Sequence, residues 1–322
     1  MKIIRIHKFG PTEDVLDLDE IETPKPGEGQ VLVKVEAASL NRMDLGVRTG
    51  TNRKPEDLPL TPGGEVAGTV AELGAGVTGF TVGQRVLAHL NLGGYAEYVV
   101  APSNRIFAVP DGVDAASATS VPVVFLTAYC SLVDDLGMKA GDKVLIQAGG
   151  SGVGMAAIQI AKHIGAEVYT TAGSDEKCKR CEELGADHAF NYNKQDFVAE
   201  VMRQTNGRGV DIVLELVGGD VYEKSLSVLA PGGRLVSIGR AGGAVSDPPP
   251  APPEGRTAKR FSLGVWLNEH PEGYKRMDDT LKMLASGKWK VEIDSKFPLA
   301  EARAAQKRLE GREHFGKIIL TM

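Results

Sequence analysis

The chain has 322 residues, 42% of them apolar, which is enough for two domains with separate buried cores. A net charge of -5 without any Lys/Arg stripe excludes nucleic acid as the main partner, and no apolar run is expected to span a bilayer. The N-terminus MKIIRIHKFG has no signal-peptide core, so cytoplasmic residence is expected, and three cysteines (Cys130, Cys178, Cys181) are too few for a disulfide framework.

Residues 1–123 are turn-rich. VLVKVEAASL (31–40) and GYAEYVV (94–100) alternate or run apolar like short strands, and Gly/Pro stretches such as PKPGEGQ and GAGVTGFTVGQRV separate them. This predicts a compact β domain. From residue 124 the pattern changes. VFLTAYCSLVDDLG has helical spacing, and KVLIQAGG, AEVYTTAG, VDIVLELVGG and GRLVSIGR follow as buried strands separated by helix-like segments. Apolar strands alternating with amphipathic helices predict a doubly wound parallel sheet, so the fold class is α/β. SDPPPAPPEGR (246–256), with five prolines, is expected to be an exposed loop. Two further helices, YKRMDDTLKMLASG and LAEARAAQKRLEG, and a closing strand, GKIILTM, are expected to return to the first domain. The predicted division is therefore 1–123 with 267–322 as one domain and 124–266 as the other.

VLIQAGGSGVGMAAIQIAKHIGA runs strand, glycine-rich turn, helix, the context that a dinucleotide site requires. Glycines let the backbone approach a pyrophosphate, whose charge the helix N-terminus then binds. Gly149 and Gly154 fit the fingerprint, Ser151 takes its middle place, and Gly152 and Val153 open the helix. The next strand ends in Ala172 and Gly173, where an acidic residue would select NAD. Asp175 is read as complementing the helix start. Ser174 and Lys177 offer a hydroxyl and a cation to a 2'-phosphate, which points to NADPH. Cys178 and Cys181 read as ordinary helix cysteines.

AASLNRMDLGVRTG, TPGGEVAGTV, GGYAEYVV, FLTAY, QAGGSGVGMAAIQIAK, AGSDEK, LGADHAFNY, LAPGGRLVSIG and the terminal GKIIL occur together in this order. In that combination the chain resembles the medium-chain dehydrogenase/reductase superfamily, and within it the zinc-free NADPH quinone oxidoreductases of the zeta-crystallin and p53-inducible type. The resemblance implies a GroES-like β domain beside a Rossmann domain, a homodimer through GRLVSIGR, and a small electrophilic substrate. It implies cofactor contacts at Ser174, Lys177 and Tyr192 on the 2'-phosphate side, at Thr127 and Gly239 beside the nicotinamide, and at Lys317 on the closing strand. It also implies an active-site role for Asn41; Asp44, three residues on, is a second catalytic candidate, although such a carboxylate more often serves the scaffold. The chain departs from the bacterial members at Gly46 and Asn52, where those tend to carry tyrosines. Zinc relatives place their ligands where Asn41, Gly64 and Val123 stand here, and none of these residues is a usual N or S ligand.

Zinc polarises a carbonyl or alkoxide, a service that an unactivated alcohol or ketone needs and a quinone or enone does not. The expected activity is therefore NADPH-dependent hydride transfer to quinones or related activated acceptors without zinc. The alternatives are an enone or enoyl-thioester reductase on the same scaffold and an NADPH-binding protein with little turnover.

Overall fold

The computed structural model describes residues 1–51, 53–239, 242–246 and 249–322, the side chain of Glu13 aside. Asn52, Arg240, Asp247 and Pro248, which figure in the sequence-based expectations, lie outside the described residues. The chain forms two compact units, Met1–Val123 with Met277–Met322, and Val124–Arg276. The second crossing falls at Met277 and not at 267. The reason is the helix Leu263–Glu269, whose Trp266 packs against Phe261 and covers Gly273 so closely that a β-carbon there would meet its ring at 2.4 Å.

The strands in chain order are β1 (Lys2–Arg5), β2 (Asp17–Glu20), β3 (Gln30–Ser39), β4 (Glu65–Leu73), β5 (Arg85–His89), β6 (Tyr98–Pro102), β7 (Ile106–Ala108), β8 (Lys143–Ile146), β9 (Glu167–Ala172), β10 (His188–Asn191), β11 (Val210–Glu215), β12 (Leu229–Ser237), β13 (Thr257–Arg260), β14 (Ile293–Pro298) and β15 (Lys317–Thr321).

In the first unit the main sheet runs β14-β15-β3-β4-β5-β7, with β6 also paired to β3. Val31, Val33 and Val35 of β3 alternate into a core shared with Val66, Val70, Val86, Ile318 and Leu320. Each such buried side chain contributes about 1.5–3 kcal/mol. The closing strand β15 lies antiparallel to β3, with Ile319 opposite Ser39, so the tail does return to the first unit. Three strand ends consequently meet at one end of the sheet: the last residue of β3 (Ser39) and the first residues of β4 (Glu65) and β15 (Lys317).

In the second unit six parallel strands run β10-β9-β8-β11-β12-β13. Counted from the first strand of the unit, this is the 3-2-1-4-5-6 order of a dinucleotide-binding sheet. Val144, Leu145, Ile146, Ile212, Val213 and Leu214 are fully buried, as parallel strands covered on both faces require. GRLVSIGR, expected as the edge through which a homodimer forms, is not an edge in its β12 part. Arg234 through Ser237 pair in parallel with Thr257 through Arg260 of β13. The outer strand is the mostly exposed TAKR segment, whose two cations discourage further pairing.

One stretch among the described residues, Ala115–Asp135, is long and apolar enough by length and composition to cross a membrane, and most of it is buried in the protein, as a core helix is. It includes π-helical turns at Val121–Phe125 and Cys130–Asp135.

Candidate functional site

At the carboxyl end of β8 the backbone turns through Ala148, held at φ 53°, into the helix Gly152–Ile164. Ser151 caps that helix: its Oγ accepts from Gly154 N over 3.1 Å and donates to Ala148 O over 2.7 Å. A β-carbon on Gly154 would lie 2.3 Å from Ala148 O, and one on Gly149 would lie 2.3 Å from Thr170 Oγ1 and 2.9 Å from Cys181 Sγ. The two glycines are thus needed for a tight turn, and the serine for its cap. The Gly152 and Val153 amides begin the helix, where N–H groups lack an intrahelical acceptor and favour an anion.

The ends of β9 and β10 add a second cluster. Ser174 caps the helix Asp175–Glu183 by accepting from Lys177 N over 3.2 Å. The Tyr192 ring, half exposed, lies so close over Gly173 that a β-carbon there would be 2.6 Å from its hydroxyl. Asp175 sits in the first turn of the helix but is not its cap. Its two oxygens accept from Asn191 Nδ2 at 2.6 Å and from Lys194 Nζ at 2.5 Å, and these bonds, Asn191 first, hold its carboxyl below the usual range. Gly239 follows β12 where a β-carbon would be 2.0 Å from Leu216 O, and Thr127 is 5% exposed. Cys178 and Cys181 are buried free thiols. Burial pushes Cys181 up to about 12, which removes its thiolate character.

The first unit holds a buried polar network at the three strand ends. Glu65, with 0% exposure, takes four donors: Ser39 Oγ, Asn41 Nδ2 (2.7 Å) and Lys317 Nζ (3.1 Å) on Oε1, and Val123 N (2.7 Å) on Oε2. Lys317, at 2% exposure, gives its three ammonium protons to Glu65, to Asn41 Oδ1 at 2.7 Å and to Leu40 O at 2.8 Å. An ammonium has only three protons, so none is left for a nucleotide. The cofactor contact expected of the Lys317 side chain is therefore replaced by an internal one.

Asp44, the second catalytic candidate, has the surroundings of a scaffold carboxylate. It is wholly buried and accepts from Asn41 N (2.7 Å), Gly63 N (3.1 Å) and the Tyr95 hydroxyl (3.0 Å), which ties the start of the helix Arg42–Arg48 to the turn before β4. Burial lifts its carboxyl to about 6 against the pull of these donors and of Lys317. His89, opposite Glu65 in the sheet, is pushed by burial down to about 4 and is neutral at neutral pH. Asn41 is buried at 8% exposure, and its second Nδ2 proton has no partner among the described residues. Glu65 carries no role in the sequence reading, although it stands in the TPGGEVAGTV segment beside Gly64.

Residues 27–111 match the alcohol dehydrogenase GroES-like domain, and residues 152–284 match the zinc-binding dehydrogenase domain. The chain is 31% identical to a human (Homo sapiens) quinone oxidoreductase over 100% of this chain and 98% of that one. The chain belongs to the quinone oxidoreductase group of the medium-chain dehydrogenases/reductases. As a member of that family it is an oxidoreductase. It is also 35% identical to a 2-haloacrylate reductase of Burkholderia, over 98% of this chain and 97% of the relative. Among solved structures, the Escherichia coli quinone oxidoreductase complexed with NADPH superposes with a TM-score of 0.92, at 29% identity over 100% of both chains.

The family's domain model is named for zinc, but the residues here do not fit that metal. Asn41 presents an amide committed to Lys317 and Glu65, Gly64 has no side chain, and Val123 contributes only an apolar one. The neighbouring carboxylate, Glu65, already has four protein donors. No three His, Cys, Asp or Glu side chains among the described residues gather as metal ligands.

Proposed function

We propose that the chain is an NADPH-dependent reductase of quinones and related electron-poor acceptors that works without zinc. The observation that carries this reading is the Asn41, Gly64 and Val123 set beside a Glu65 whose oxygens are taken, because a site with no Lewis acid suits only acceptors that are already electrophilic. The cofactor half rests on the Ser151-capped turn, whose glycines leave no room for side chains, and on Gly173, Ser174, Lys177 and Tyr192 for the 2'-phosphate. The solved NADPH complex of the similar E. coli protein supports the same choice.

Bound NADPH would supply a hydride. The chain would hold the pyrophosphate on the Gly152 and Val153 amides and exclude side chains from that turn with Gly149 and Gly154. Asn41 would donate its second Nδ2 proton to the oxygen on which charge develops, a contact stronger in the transition state than in the ground state. Asp44 has no proton role in this scheme, and solvent delivers the proton. A second reading, reduction of the carbon–carbon double bond of a conjugated acid, ketone or thioester, is favoured by the similarity to the 2-haloacrylate reductase. A homodimer and a cytoplasmic location belong to the same proposal.

The test is to follow NADPH absorbance with quinones, enones, 2-haloacrylate and simple ketones. Turnover of the electron-poor members alone supports the reading, and the ratio of quinone to enone rates chooses between its two forms. Tight NADPH binding without oxidation of any acceptor would favour a binding protein of little turnover and overturn the enzyme assignment.

A further inference from the structure

We propose that Lys317 is a positioning residue: with Glu65 it locks the Asn41 carboxamide in one orientation, so that one N–H of Nδ2 stays available to the acceptor's oxygen. This rests on the reading of Asn41 as an oxyanion donor. The network itself dictates the orientation. Lys317 has only protons to give and reaches Asn41 Oδ1 at 2.7 Å, while Glu65 Oε1 receives Asn41 Nδ2 at 2.7 Å. Turning the amide over would put its N–H₂ against an ammonium and its oxygen against a carboxylate, leaving two buried polar contacts unmade. The other supports are fixed as well: Ser39 and Val123 N hold Glu65, Leu40 O holds Lys317, and Asp44 holds the Asn41 backbone N–H at 2.7 Å.

The ammonium does more than orient. A positive charge on Oδ1 draws electron density toward the carbonyl and makes the remaining Nδ2 proton a better donor, in a site where Lys317, Glu65 and Ser39 are each at most 2% exposed. The charge thus assists the acceptor through Asn41, with no contact between Lys317 and the acceptor.

Lys317→Met alone leaves Glu65 buried without its cation, so Lys317→Met/Glu65→Gln is made beside it to keep the charge balanced. Asn41→Ala should lower kcat by about a hundredfold. Lys317→Met and the double variant should lower it roughly tenfold with the NADPH Kd unchanged, and Lys317→Met should cost nothing further on the Asn41→Ala background. With asparagine labelled selectively with nitrogen-15 and the Asn41 side-chain signals identified by their loss in Asn41→Ala, the two Nδ2 protons should be well separated in the parent protein and converge in Lys317→Met. Full kcat in both Lys317 variants, an equal loss on the Asn41→Ala background, or unchanged amide signals would overturn the proposal. A wild-type kcat in Asn41→Ala would instead remove the oxyanion role of Asn41, and the amide signals would still decide whether Lys317 positions it.

Discussion

The Tyr95 hydroxyl donates to Asp44 Oδ2 over 3.0 Å, and both side chains have 0% exposure. Together with the amides of Asn41 and Gly63 it completes the donors around a carboxylate that burial would otherwise make costly. Tyr95→Phe takes away one donor and leaves the rest in place. It should cost about 1–3 kcal/mol in equilibrium urea unfolding, and an unchanged midpoint would contradict the role given to Asp44.

The same carboxylate makes a prediction about pH. Folding raises the Asp44 pKa from 3.8 to about 6, so the folded chain holds that proton more tightly than the unfolded chain. Its contribution is fully present below about pH 4 and is lost as the pH rises through about 6, on the order of 3 kcal/mol in all. Asp44→Asn lacks the titration. The stability of the parent relative to that variant should therefore grow from pH 7 toward pH 4, whereas a difference independent of pH would refute the burial of an ionisable group there.

The proposed preference for NADPH makes a prediction about how Asp175 is held. Asn191 and Lys194 take its two oxygens and so mask one of the two acidic side chains, Asp175 and Glu176, in the Gly173–Lys177 segment proposed for the 2'-phosphate. Lys194→Met should raise the NADPH Kd by roughly two- to fivefold, a modest change because the pair is exposed, while the NADH Kd stays level. Fluorescence titration measures both. Parallel changes in the two constants would mean that Lys194 does not act on the phosphate preference.

Gly149→Ala should weaken NADPH binding at least about tenfold and cost roughly 1–3 kcal/mol of stability, since the new methyl meets Thr170 Oγ1 at 2.3 Å, an atom already bonded to Ile146 O. Gly264→Ala is the matched control, with nothing within 4 Å of the added carbon, and should be neutral to stabilising by up to about 1 kcal/mol. Equal behaviour of the two variants by titration and thermal melting would show that the turn tolerates side chains.

Much of this fold is legible in the sequence because its long strands are apolar on both faces or alternate cleanly. KVLIQAGG and VDIVLELVGG became β8 and β11, and GKIILTM closed the first unit's sheet as β15. The short strands β10 and β13 escaped, the former half-buried and the latter reading TAKR, because four residues without an apolar run carry no periodic signal. The glycine-rich turn was legible for the same local reason: strand, turn and helix are contiguous. The polar network was not, since Lys317 and Glu65 are separated by more than two hundred residues and meet only because β15 pairs with β3 and β3 with β4. Lys317 read as a cofactor cation until the pairing buried it, and nothing local to Asp44 announced that Tyr95 and Gly63 would enclose it.

The proposed reduction of the acceptor uses an amide and no metal. Its most direct measurement is quinone-dependent NADPH oxidation by protein dialysed against a strong chelator, with the bound metal quantified on the same sample. An undiminished rate at a metal content far below one ion per chain is the predicted result. A rate that collapses on chelation and returns with zinc, or turnover of simple alcohols with NADP⁺, would contradict it.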